Sequence, residues 1–142
     1  MASLNPYLIF NGNCSEAFDF YKSVFGGEFQ MSSKFKEMPG GEELPADKAE
    51  QIMHVALPVG DKNILMGSDC GPGMEGVKSG DNFSIALTTT SAEETRRVFD
   101  GLSAGGNITM PLEKTFWAPL FGMLKDKFGV NWMISMDVNP AA

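Results

Sequence analysis

EKTFWAPLFGMLKDKFGVNWMISM, residues Glu113–Met136, is the most informative stretch of the chain. An aromatic pair, Phe116-Trp117, leads into Leu120-Phe121-Gly122-Met123-Leu124. The polar run Lys125-Asp126-Lys127-Phe128-Gly129 then hands over to Val130-Asn131-Trp132-Met133-Ile134. Two short apolar runs divided by Asp, Lys and Gly are the pattern of a β-hairpin with a turn of several residues. Gly129 is expected to supply a positive φ at the start of the second strand, and Asp126 to cap amides of the turn. Both tryptophans of the chain lie here. Trp117 and Phe121 are candidates for the wall of a small-molecule pocket, because such walls are aromatic and carry few charges. The same rings can equally fill a core.

The residues before the hairpin read as strand, helix, strand. Phe83–Leu87 is a strand, Thr88-Thr89-Thr90 a turn, and Ser91 with Glu94 a capping box. The helix buries Val98, Phe99 and Leu102 and stops at Gly105-Gly106; Asn107–Met110 is extended. The first half repeats this order. Leu4–Phe10 is a strand with Pro6 near its start, and Asn13 with Glu16 makes an N-cap and capping box. Ala17, Phe20, Tyr21, Val24 and Phe25 then recur at helical spacing before Gly26-Gly27. Glu28–Phe35, Ile52–Val59 and Asn63–Gly67 are strands, the last two joined through Gly60-Asp61-Lys62. The polar run Lys36–Glu50 is expected to be a long loop, either a lid or simply tolerated. The Gly-rich run Ser68–Asp81 lacks the strand-to-helix setting of a phosphate loop and serves as a linker.

The expected fold class is therefore α+β: one domain over residues 1–142, built from two βαβββ modules. The modules span about 3–70 and 82–138 with a linker at 71–81, and helices lie on the outer face of a cupped mixed sheet. Opposed sheet faces would enclose a cleft.

Composition narrows the function. The 142-residue chain carries a net charge of -7, which argues against nucleic acid as a partner, since phosphates need a basic patch. No apolar run approaches the length of a membrane span and no signal segment opens the chain, so a cytoplasmic protein is expected. Two cysteines, Cys14 and Cys70, suit a reducing compartment. Ten methionines can fill irregular gaps or line an adaptable binding surface.

His54 is the sole histidine, so schemes needing two are excluded. It is a catalytic candidate as a general base tuned by burial or by Asp69 or Glu113; the alternative is a histidine satisfied at the edge of the core. Asp69 lies just past a strand, where functional side chains often sit, and can also merely shape the turn. Cys14 begins a helix whose dipole would lower a thiol pKa, or it is simply packed.

Several segments carry a resemblance: Asn5-Pro6-Tyr7, Phe10, Gly12-Asn13-Cys14, Phe20-Tyr21, Ile52-Met53-His54 and Ser68-Asp69. The most specific runs from Thr115-Phe116-Trp117 through Phe121-Gly122 and Asp126-Lys127-Phe128-Gly129 to Trp132-Met133-Ile134. On these the chain resembles the PhnB-like branch of the vicinal oxygen chelate superfamily, which includes glyoxalase, bleomycin resistance proteins and extradiol dioxygenases. The branch is often labelled demethylubiquinone methyltransferase-type. The resemblance implies paired βαβββ modules, a homodimer, and a divalent metal held by His and Glu on the first and last strand of each module.

Carried over, the metal positions fall at Pro6 (or Asn5), Met66, Ser84 and Met133. None is a His or a carboxylate, and hard or borderline divalent ions want those donors. No metal and no cofactor is therefore expected. Pro6, Met66, Ser84 and Met133 join Trp117 and Phe121 as ligand-binding candidates for a small, partly apolar molecule in a metal-free cleft. The alternative is an enzyme: a lyase or oxygenase with relocated ligands from Asn5, His54, Asp69, Glu113 or Asp126, or a metal-free acid–base catalyst using His54. A methyltransferase is suggested by the family label alone, without a Gly-rich nucleotide-binding strand–turn–helix.

Overall fold

The β-α-β-β-β order occurs twice in the computed structural model, which describes residues 2–74 and 76–137. Two compact units result, Met1–Lys78 and Ser79–Ala142, divided inside the expected linker. The first comprises β1 (Tyr7–Phe10), α1 (Cys14–Phe25), β2 (Met31–Lys34), α2 (Ala46–Ala49), β3 (Ile52–Val59) and β4 (Asn63–Asp69). The second comprises β5 (Ile85–Thr89), α3 (Ala92–Ser103), β6 (Asn107–Glu113), β7 (Phe121–Lys125) and β8 (Asn131–Met136). Sheet orders are β1-β4-β3-β2 and β5-β8-β7-β6. In each, the first strand runs parallel to the last and the remaining pairs are antiparallel. The repeat thus lies in topology rather than in residue identity.

Each sheet has one face covered by its helix, and a glycine marks that face in each unit. A Cβ on Gly67 would lie 2.6 Å from the ring of Phe18 on α1, and one on Gly122 2.6 Å from the ring of Phe99 on α3. Side chains alternate along a strand. Leu8 and Val55, in register with Gly67, therefore face α1, whereas Tyr7, Ala56 and Met66 point to the far face. In the second unit Ile134, in register with Gly122, faces α3, while Met123, Met133 and Ala86 occupy the far face.

The helical stripe differs from the expected one. Cys14, Ala17, Phe18, Tyr21 and Val24 are buried, while Phe20 and Phe25 are only half-buried. Contact with Gly67 draws Phe18 inward. The cap of α1 differs too: the Asn13 side chain makes no capping bond. Instead Asp69, at the end of β4, accepts from the backbone N–H of Gly12 at 2.8 Å and of Cys14 at 2.9 Å. At α3 the expected cap is present, with Ser91 Oγ accepting from the N–H of Glu94 at 3.1 Å. Glu94 itself reaches one residue further back than in a capping box, to the N–H of Thr90. Thr88 and Thr89, expected in a turn, belong to β5. The Thr89 hydroxyl is buried against that of Thr95.

Residues 36–50 are not an irregular loop. They hold two 3₁₀ turns, Phe35–Glu37 and Gly41–Glu43, and the short α2. Glu50 accepts from Lys34 Nζ at 2.7 Å and from Lys36 Nζ at 2.8 Å, tying the ends of this segment together. The C-terminal hairpin forms as expected, with Gly129 at φ 90°.

Candidate functional site

Chemistry-bearing residues collect on the far face of each sheet. In the first unit a row runs across the strands, Tyr7↔Met66 between β1 and β4, Met66↔Ala56 between β4 and β3, and Ala56↔Met31 between β3 and β2. His54, two residues before Ala56, shares this face and is half-buried. Tyr7 leans across β4 to reach it: the phenol oxygen lies 3.3 Å from His54 Nδ1, and the rings stack with centroids 5.7 Å apart. Opposite His54 on β2 stands Ser33, whose buried Oγ makes no hydrogen bond. A β-bulge sits beside the pair, because Ser33 aligns with His54 but Lys34 with Ile52, leaving Met53 as the extra residue.

In the second unit Ala86, Met133 and Met123 form the corresponding row across β5, β8 and β7. Phe121, two residues before Met123, is buried on the same face. Trp117 packs edge-on against it with centroids 5.2 Å apart, and Phe116 packs edge-on against Trp117 at 4.7 Å. Their loop is fixed locally, with Ala118 N–H donating to Thr115 Oγ1 and Thr115 N–H to the Ala118 carbonyl. An aromatic ladder thus leads from Phe116, 97% exposed, through Trp117 to Phe121.

The other named residues fall elsewhere. Pro6 lies just before β1, and its carbonyl accepts from the N–H of Met66 at 3.0 Å. Asn5 accepts from the N–H of Ile64. Ser84 precedes β5, two residues ahead of Ala86. Asp69 is buried beneath α1, and its second oxygen accepts from the N–H of Ile52 at 2.9 Å, so one carboxylate fastens three segments. Asp126 is likewise turned inward, toward the N–H groups of Phe128 and Val130 and the indole of Trp132. Glu113 is exposed at the end of β6. Cys14 is completely buried, and burial, with a smaller contribution from the Asp69 charge, pushes its thiol pKa up; the expected lowering by the helix dipole is overridden. Cys70 donates its thiol to Asn11 Oδ1.

The divalent metal that this fold family implies does not fit these residues. The strand positions in register are Tyr7 with Met66 and Ala86 with Met133, which offer a phenol, two thioethers and a methyl group. Among the described residues no group of three His, Cys, Asp or Glu side chains is placed to hold an ion. The sequence reading named Met66, Met133 and His54 as candidates but not the residues in register with them, Tyr7 beside Met66, Ala86 beside Met133 and Ser33 opposite His54. Aligning the first and last strand of each unit in parallel, which sets Tyr7 beside Met66 and Ala86 beside Met133, is the signal that would have pointed to them.

Paired βαβββ units with this strand order define the glyoxalase/bleomycin resistance/dioxygenase class. A fosfomycin resistance protein of Listeria monocytogenes, FosX, shares the fold at a TM-score of 0.64 and 12% identity, over 95% of this chain and 92% of its own. Within that class, the chain belongs to the family described as 3-demethylubiquinone-9 3-methyltransferase, whose model matches residues 2–135; this is the PhnB-like branch. The Escherichia coli protein YjdN is 38% identical over 141 residues, covering 94% of each chain. A Pseudomonas aeruginosa protein of solved structure is 42% identical, with a TM-score of 0.84 over 96% of this chain and 98% of its own. The PhnB protein of Bacillus cereus is 27% identical, with a TM-score of 0.76 over 96% and 100%.

Proposed function

We propose that this PhnB-like protein binds a small, partly apolar molecule on the far faces of its sheets, without a divalent metal. The observation that carries this reading is the pair Met66 and Met133. They stand on the last strand of each unit, where the fold family would place metal ligands, with Tyr7 and Ala86 in register. Thioethers are poor donors for hard divalent ions but good lining for an apolar ligand. Trp117 and Phe121 add flat aromatic surface beside Met133's row. The reading includes a homodimer, supported by the family resemblance, and a cytoplasmic setting, supported by two free thiols.

A methyltransferase activity, which the family description names, has little support in the residues. The one strand–turn–helix of the first unit passes through Asn11-Gly12-Asn13, and the amides at its helix start are already taken by the Asp69 carboxylate. A negative charge there opposes an anionic cofactor group.

Elemental analysis of protein purified without chelators tests the metal half of the proposal. Far less than one equivalent of any divalent metal is expected, and a full equivalent overturns it. A thermal-shift screen of small aromatic compounds tests the other half, since any ligand of the native state raises the melting temperature. Hits are expected to lose their shift in Trp117→Ala and Met133→Lys; a screen in which no compound stabilises the wild-type protein counts against binding.

A further inference from the structure

Resting on that reading, we propose that Ser33 and His54, with Tyr7 behind His54, form a polar anchor on the far face of the first sheet. It would hydrogen-bond one neutral acceptor oxygen, such as a carbonyl, of an otherwise apolar ligand. Three independent observations converge on this spot. Ser33 Oγ is buried and unpartnered, the single side-chain polar atom in that state among the described residues. Leaving a hydroxyl in this condition costs free energy, so such atoms in native proteins call for a water or a ligand. Ser33 stands directly opposite His54 on the neighbouring strand, which places their Cβ atoms roughly 5 Å apart. One ligand atom can therefore meet both side chains. The bulge at Met53 adjoins the pair, a feature that commonly re-aims side chains at functional sites.

Tyr7 defines the role of the imidazole. When its phenol donates to Nδ1 across the 3.3 Å contact, the ring proton resides on Nε2, and Nε2–H becomes a donor. Ser33 supplies a second donor. Two donors and no carboxylate select an acceptor atom in the ligand. Aside from the imidazole of His54 and the phenol of Tyr7, no strand position on this face of the sheet carries an acid or base, and the neighbours in register are Met31, Ala56 and Met66. Without a fixed cation the site favours a neutral oxygen over a carboxylate or phosphate, which would lose more hydration than it regains. The stacked faces of Tyr7 and His54 leave the rest of the ligand in apolar surroundings.

The test uses the full-length protein and two probes of one shape, 2-acetylnaphthalene and 2-isopropenylnaphthalene, in which a methylene replaces the carbonyl oxygen. Affinities come from fluorescence titration, with ¹⁵N resonances of the His54 ring recorded in parallel. The ketone's affinity should fall roughly fivefold to tenfold in Ser33→Ala, as for loss of one hydrogen bond. A similar fall is expected in His54→Phe, which keeps a ring against Tyr7 but removes both nitrogens. The hydrocarbon's affinity should stay unchanged in both variants, and only the ketone should shift the His54 Nε2 resonance. If both probes bind and neither variant alters the ketone's affinity, the anchor is wrong while the apolar face stands. If neither probe binds, the ligand-binding reading fails and takes the anchor with it.

Discussion

The indole N–H of Trp132 donates to Asp126 Oδ2 at 2.9 Å, and both side chains are buried in the second unit. The other oxygen of Asp126 accepts from the amides of Phe128 and Val130, so this carboxylate closes the turn and orients the largest side chain of the core. Asn in its place keeps one acceptor and turns an NH₂ group toward a donor. Asp126→Asn should therefore lower unfolding free energy by about 2–3 kcal/mol, the scale for hydrogen bonds to a charged group. Urea denaturation measures it; a loss below about 0.5 kcal/mol would show that the turn holds without the carboxylate.

Asp69 plays the corresponding part in the first unit, fastening Gly12, Cys14 and Ile52. Asp69→Asn should cost about 3 kcal/mol for the same reason. It should also leave the affinity of any far-face ligand unchanged in the fraction that remains folded, since the side chain points beneath α1. A folded Asp69→Asn protein with wild-type stability and no ligand binding would move this residue from scaffold to site.

Gly67 and Gly122 seat Phe18 and Phe99 at distances no Cβ can share. Gly67→Ala and Gly122→Ala should each destabilise by about 1–3 kcal/mol through overpacking. Pairing each with Phe18→Leu or Phe99→Leu should restore part of the loss, because a smaller side chain reopens the space. Double-mutant cycles read the coupling, and strict additivity would deny the contact.

Much of this was legible in the sequence. The hairpin at the C-terminus, the Ser91 cap and the doubled order of elements follow from local periodicity and turn chemistry, which act over a few residues. What escaped depends on pairing between distant segments. Asn13 looked like a cap because caps are usually local, yet the cap arrives from Asp69, 55 residues away from Cys14. The stripe of α1 shifted because the partner surface, Gly67, belongs to another strand. At the candidate site, Met66 and Met133 were named through the family pattern. Ser33 and Tyr7 became visible only once strand register set them around His54.

Glu50 makes the order of residues 36–50 depend on pH. Hydrogen bonds from Lys34 and then Lys36, with their charges, lower its pKa from 4.5 to about 2. A depressed carboxylate contributes stability that is present above its ordinary value and is lost as pH falls toward the folded-state value. Residues 36–50 should thus stay ordered at neutral pH and loosen between about pH 4.5 and 2, where amide protection factors, taken against the intrinsic rate at each pH, should fall in this segment ahead of the two sheets. The carboxylate lies at the surface, so salt should weaken the effect. An NMR titration of the Glu50 carboxyl carbon should give a midpoint near 2 that moves up in the Lys34→Ala/Lys36→Ala double variant. A midpoint that stays the same in that variant would mean the two lysines do not hold Glu50.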